Sequence, residues 1–73
     1  MALKDWRRSK HRPRPSTRMS WEEKEEPGDS IEIDYIPSSN ILYKIILNGM
    51  SEVDSTGTFA KAKKLAVNYM RTH

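Results

Sequence analysis

The most regular hydrophobic pattern in the chain lies at residues 41–49, which read Ile-Leu-Tyr-Lys-Ile-Ile-Leu-Asn-Gly. In the first seven of these residues, the odd-numbered side chains are all apolar and would share one face, and the even-numbered side chains would share the other. This period of two residues is that of a β-strand. The Asn-Gly pair that follows favours a two-residue hairpin turn, because both central residues of that turn need positive φ. The stretch therefore predicts a strand and a returning strand at residues 50–54.

Two stretches upstream predict the rest of the sheet. Residues 30–36 alternate strictly, with apolar side chains on one face and Glu32 and Asp34 on the other. Residues 18–24 predict a short strand with Met19 and Trp21 pointing inward. Between them, residues 26–29 read Glu-Pro-Gly-Asp, with proline second and glycine third as in a type II turn. We expect these two strands to form a hairpin.

A helix is predicted at residues 59–71. Apolar side chains recur there at helical spacing along one side, and they are Phe59, Ala62, Leu65, Ala66, Tyr69 and Met70. Thr58 is a favourable N-cap, because its hydroxyl can accept a hydrogen bond from an otherwise unpaired amide. The predicted fold class is α+β: an antiparallel sheet of three to four strands, one C-terminal helix packed on one face of it, and a basic N-terminal arm.

Charge is spread unevenly along the chain, although the net charge is only +3. Residues 1–18 carry seven Lys or Arg against one acid, residues 19–40 carry seven acids against one lysine, and residues 41–73 carry five bases against two acids. Residues 1–18 also contain prolines and few apolar groups with which to offset the entropy of ordering. We therefore predict a disordered basic arm at 1–18 and a single small domain at 19–73.

The order of strands and helix, with the ending Thr-Gly-Thr-Phe-x-x-Ala-x-x-x-Ala at residues 56–66, resembles two groups of small DNA-binding domains. These are the arm-binding domains of phage integrases and the plant AP2-type domains. They present Arg and Trp on the open sheet face, where this chain has Glu32 and Asp34. Because carboxylates repel phosphates, we assign the chain to no family and do not expect this face to contact DNA.

Nothing in the sequence indicates catalysis or a cofactor. The two histidines are His11, in the arm, and His73, the last residue. A catalytic base must be held in a fixed orientation, and packing against a core cannot hold a side chain rigidly at either of these positions. The acids on strands alternate with apolar residues, as they do on solvated faces, and the three glycines form no phosphate-binding loop. Because there is also no cysteine, we expect a non-enzymatic protein without a metal or a cofactor.

Location follows from the same composition. The longest apolar run is Ile45-Ile46-Leu47, far shorter than the roughly 20 residues of a membrane span. No apolar segment follows the basic start, as it would in a secretory signal. We expect a cytoplasmic protein with no membrane partner.

The basic arm makes a small accessory nucleic-acid-binding protein the preferred function, with DNA and RNA both open. Each Lys or Arg that neutralises a phosphate releases a counterion, and an indole can stack on a base. The expected contacts are Lys4, Trp6, Arg7, Arg8, Lys10, Arg12, Arg14 and Arg18 in the arm, with Lys61 and Lys64 on the helix. Alternatively, the arm neutralises the acidic strands, contacts a partner protein, or only solubilises the chain while Trp6 packs on the domain.

A protein-interaction or inhibitor module is the rival function. Ile36, Leu42 and Ile46 would lie together on the sheet face away from the helix. Contiguous apolar patches of this kind tend to mark contacts with another protein, and a homodimer is one form such a contact could take. The other interpretation is that these are scattered exposed side chains, or that Trp6 covers them.

Overall fold

The computed structural model describes residues 5–9, 12, 14–25, 28–37 and 41–72 of the chain. In chain order these residues form β1 (Trp6–Arg8), β2 (Thr17–Glu23), β3 (Ser30–Pro37), β4 (Ile41–Leu47), β5 (Ser51–Thr56) and α1 (Phe59–Thr72). Each strand pairs antiparallel with the next, so the sheet is a meander of order β1-β2-β3-β4-β5. The α+β class and the C-terminal helix are confirmed.

The described residues form five strands, and the prediction of three to four was wrong. The additional strand, β1, lies within the segment expected to be a disordered arm. Trp6 pairs with Glu23 and Arg8 pairs with Trp21 across the β1–β2 ladder. The physical reason is the indole of Trp6, which is 6% exposed and so contributes apolar burial that offsets the cost of ordering the strand. Ser9 extends the ladder with a hydrogen bond from its amide to the Ser20 carbonyl (2.9 Å).

The positive φ predicted for Asn48 and Gly49 is confirmed, but the returning strand starts at Ser51 and not at Met50, so three residues and not two separate β4 from β5. Asn48 and Gly49 both have positive φ, at 54° and 72°. The Asn48 side chain also accepts a hydrogen bond from the Ser30 amide (2.8 Å) and donates one to the Asp29 carboxylate (3.0 Å). This residue therefore connects the tip of one hairpin to the start of β3.

A bulge explains the weak pattern of the returning strand. Ile45 pairs with Asp54, while its neighbour Ile46 pairs with Glu52, so Val53 is the extra residue. A bulge shifts the alternation of side chains by one position. The apolar Val53 is consequently out of phase with the rest of β5.

The core lies between α1 and one face of the sheet, where the helix contacts β3, β4 and β5. Its buried side chains are Trp6, Trp21, Ile31, Ile33, Ile45, Ala62, Ala66 and Met70. The Lys61 amide donates to the Thr58 hydroxyl (3.3 Å), which confirms the predicted N-cap. In the described part of the chain, no helix has the length and apolar character that crossing a bilayer requires.

Candidate nucleic-acid interface

The face of the sheet opposite α1, called here the acidic face, carries four carboxylates. Cross-strand register places them together with Ser20, Lys44 and Ile46 on that face. The carboxylates are Glu22, Glu32, Asp34 and Glu52. Sequence alternation predicted this face, but the expectation that its acids are solvated was wrong for two of them.

Glu32 and Asp34 are buried, with 4% and 0% of their surface exposed. The hydroxyl of Thr17 lies 3.1 Å from Glu32 Oε2 and 2.8 Å from Asp34 Oδ1. One hydroxyl carries one proton and can donate to only one carboxylate. The second contact is therefore a hydrogen bond only when a carboxyl group supplies the proton.

The pKa of Glu32 agrees with a shared proton. Burial raises the pKa of this carboxyl from 4.5 to about 7, and the hydrogen bond with Asp34 and its negative charge act in the same direction. The hydroxyl of Thr17 and the positive charge of Arg14 act in the opposite direction. Near neutral pH, Glu32 is thus protonated in part of the molecules.

Arg14 covers this carboxyl pair. A turn in which the Thr17 amide donates to the Arg14 carbonyl (3.0 Å) positions the side chain. The guanidinium then lies 3.5 Å from Asp34 and 4.0 Å from Glu32, and it donates to the carbonyl of Gly49. One arginine of the expected nucleic-acid-binding set is therefore engaged by the protein's own carboxylates.

Arg7 and Trp6 are also engaged within the protein. Arg7 Nε donates to Glu22 Oε1 at 3.0 Å, and both side chains are exposed. A pair in this position contributes only about 0–1 kcal/mol, because water screens it. The Trp6 indole is 6% exposed and belongs to the core. Of the three alternatives for Trp6, namely stacking on a base, packing on the domain and covering the apolar patch, the structure shows packing in the core of the domain.

Three other arginines of the segment have a different environment. Arg8, Arg12 and Arg18, called here the arginine cluster, line one surface depression beside β2. All three are exposed. None of them forms an ion pair with a carboxylate of the residues that the structure describes. Their positive charges are therefore unneutralised by that part of the protein.

Two members of the arginine cluster lie on aromatic rings. The guanidinium carbon of Arg8 is 5.7 Å from the ring centroid of Trp21, and that of Arg18 is 5.1 Å from the ring centroid of Tyr35. Such cation–π contacts are worth about 0.5–1 kcal/mol at exposed sites. They restrict two long side chains, so less conformational entropy is lost when a ligand binds.

The helix presents a second cationic surface. Its 14 residues include three lysines and Arg71 and no acidic residue. Lys61 and Lys64 are exposed, and Lys63, Lys64 and Arg71 line a shared groove.

This second surface lies on the same side of the sheet as Arg18. A row of aromatic rings runs from Tyr35, beside Arg18, to Phe59, the first residue of α1. The ring centroids of Tyr35 and Tyr43 are 5.2 Å apart, and those of Tyr43 and Phe59 are 5.6 Å apart. Because Arg18 lies over Tyr35, its guanidinium belongs to the face that α1 covers. A ligand on this side is separated from the acidic face by the sheet.

The three predicted apolar interface residues differ in exposure. Ile46 is 7% exposed, and Ile36 and Leu42 are half-buried. The exposed large apolar side chains among the described residues are instead Met50 (88%) and Val53 (39%), both at the β4–β5 hairpin.

Several predicted residues lie outside the part of the chain that the structure describes. They are Lys4 and Lys10 of the nucleic-acid set, and Glu26 and Pro27 of the predicted type II turn. Sequence reasoning in turn missed the cluster of Thr17, Glu32, Asp34 and Arg14. The usable signal was the pair of acids two positions apart on one face of a strand, since like charges so close together favour uptake of a proton.

Comparison of the chain with protein-family models, with curated proteins and with solved structures found no match. The geometry described above is therefore the basis on which a function can be inferred.

Proposed function

We propose that this protein binds nucleic acid, with the arginine cluster of Arg8, Arg12 and Arg18 contacting phosphates. The observation that supports this function is the shared depression lined by three arginines, none of them paired with a carboxylate of the described residues. Each phosphate contact releases condensed counterions, which is the main source of sequence-independent affinity. The protein would act as a small non-enzymatic accessory factor on DNA or RNA.

The proposal narrows the set of contacts expected from sequence. It assigns no phosphate contact to Arg14, whose guanidinium faces Asp34 and Glu32. It assigns no base stacking to Trp6, because the indole is buried. The exposed Lys61 and Lys64 of α1 supply the second set of phosphate contacts. The arginines of the N-terminal segment thus have two roles. Some neutralise carboxylates of the protein itself, and the others bind the ligand.

A titration of labelled duplex DNA and labelled RNA by fluorescence anisotropy, at low and moderate salt, tests this function. We expect the logarithm of the association constant to fall linearly with the logarithm of salt concentration. The double variant Arg12→Gln/Arg18→Gln should bind more weakly, and its salt slope should be shallower by about 2, one unit for each lost phosphate contact. Thermal unfolding of this variant shows whether loss of the Arg18–Tyr35 contact changes the fold.

The matched control is Lys24→Gln/Lys44→Gln, which lowers the net charge by the same two units. Lys24 is exposed near the end of β2, and Lys44 pairs with Glu52 at 3.0 Å on the acidic face. This control should keep the native salt slope. Equal losses in both double variants would mean that net charge alone governs binding. No binding to either nucleic acid at low salt would refute the proposed function.

A further inference from the structure

All the aromatic rings of the chain are engaged in contacts within the protein. The sequence has two Trp, three Tyr and one Phe. Both tryptophans are buried, and the other four rings are partly buried and packed against one another or against the core. These four are Tyr35, Tyr43, Phe59 and Tyr69.

The rings nearest the arginine cluster also face a guanidinium group. Arg8 lies over the ring of Trp21, which is 7% exposed, and Arg18 lies over the ring of Tyr35. A base could reach the face of Trp21 or Tyr35 only by displacing an arginine, and that arginine is one of the groups proposed to hold a phosphate.

This arrangement discriminates between two forms of nucleic acid. Proteins that bind single strands without sequence preference obtain much of their affinity by stacking bases on aromatic side chains. A duplex already stacks its own bases and offers the higher density of phosphates, so cations alone can bind it. We infer that the ligand is double-stranded nucleic acid, held by its phosphate backbone without base stacking. This inference rests on the proposed function.

The charges of the two faces indicate how the duplex lies. Arg18 and α1 lie on one side of the sheet, connected through the rings of Tyr35 and Tyr43. The other side carries the carboxylates of the acidic face, which repel phosphates. A duplex on the helix side can meet Arg8 and Arg18 and the exposed helix residues Lys61 and Lys64 at two places along its backbone, with Arg12 at the edge of β2 beside them.

The test compares four probes of one sequence and length: duplex DNA, duplex RNA and the single strand of each. Anisotropy gives the affinity, and the intrinsic tryptophan emission is followed in the same titration. We expect at least one duplex to bind about tenfold or more tightly than its single strand, since a single strand gains little without stacking. We also expect the tryptophan emission to stay unchanged on binding, because Trp6 and Trp21 are buried.

The outcomes separate this inference from the proposed function. Single strands that bind as tightly as duplexes, with quenching of the tryptophan emission, would overturn the inference and leave nucleic-acid binding in place. Failure of all four probes to bind at low salt would overturn both.

Discussion

Thr17, Glu32 and Asp34 form a buried group whose protonation affects stability. Folding raises the pKa of Glu32 from 4.5 to about 7. The folded state therefore binds the proton more tightly than the unfolded chain does. This tighter binding of the Glu32 proton stabilises the fold fully at pH values below the pKa of Glu32 in the unfolded chain. The stabilisation is lost as pH rises through the pKa of Glu32 in the folded state. The other charged groups facing this site are Arg14, across it, and Lys44, opposite Asp34 on β4.

We predict that the free energy of unfolding decreases between about pH 5 and pH 8, because Glu32 must then lose its proton in a buried site. In Glu32→Gln, which keeps a neutral hydrogen-bonding side chain, this decrease should be much smaller. Urea unfolding at several pH values measures both proteins. The control is Glu22→Gln, an exposed carboxylate on the same face, which should keep the native pH dependence. An identical pH profile in Glu32→Gln would contradict the shared proton.

The burial of Glu32 and Asp34 shows what the residue pattern alone can predict. Strict alternation assigned both carboxylates to the face away from the helix, and this was correct. Alternation does not show what covers a face. The cover is Arg14, placed by a turn that precedes β2 and bonded to the carbonyl of Gly49. A contact between residues 35 positions apart has no local signal in the sequence.

Among the elements, those with long periodic patterns were predictable. Strand β4 and helix α1 were placed within one residue of their observed ends, because seven and thirteen patterned residues average out local exceptions. Strand β1 has only three residues, too few for alternation to be visible. Its pairing accompanies burial of the Trp6 indole among core side chains from β2, β3, β4 and α1, which lie far from it in sequence.

The β4–β5 hairpin allows a direct test of turn chemistry. Gly49 has a φ of 72°, a region in which a Cβ atom is strained. Gly49→Ala should lower the free energy of unfolding by about 1 kcal/mol, since the left-handed conformation costs other residues roughly this amount. Met50→Ala at the next position is the control, because that side chain is 88% exposed and should contribute little. Urea unfolding measures both. Equal stability of the two variants would show that the positive φ is not required.

In the molecule as a whole, opposite charges are sorted onto two faces of one sheet. The acidic face retains Arg7, Arg14 and Lys44, each bound to a carboxylate. Arg8 and Arg18, which lie over the rings of Trp21 and Tyr35, and the lysines of α1 belong to the other face. The depression of the arginine cluster opens at the edge of β2, where Met19 of the helix side and Ser20 of the acidic face both line it. The sequence already showed the unequal charge of its segments, but segment sums do not distinguish neutralised from unneutralised arginines. That distinction needs the fold, and it is the central claim of the proposed function.

Arg12 and Arg14 test this claim most directly, because they lie two residues apart and carry the same charge. The measurement is the salt dependence of duplex binding for Arg12→Gln and Arg14→Gln, with urea unfolding of each. Arg12→Gln should make the salt slope shallower by about 1 without changing stability. Arg14→Gln should keep the native slope and lower stability, because it leaves a buried carboxyl pair without its cation. Equal reductions of the salt slope in the two variants would contradict the division of roles between these arginines.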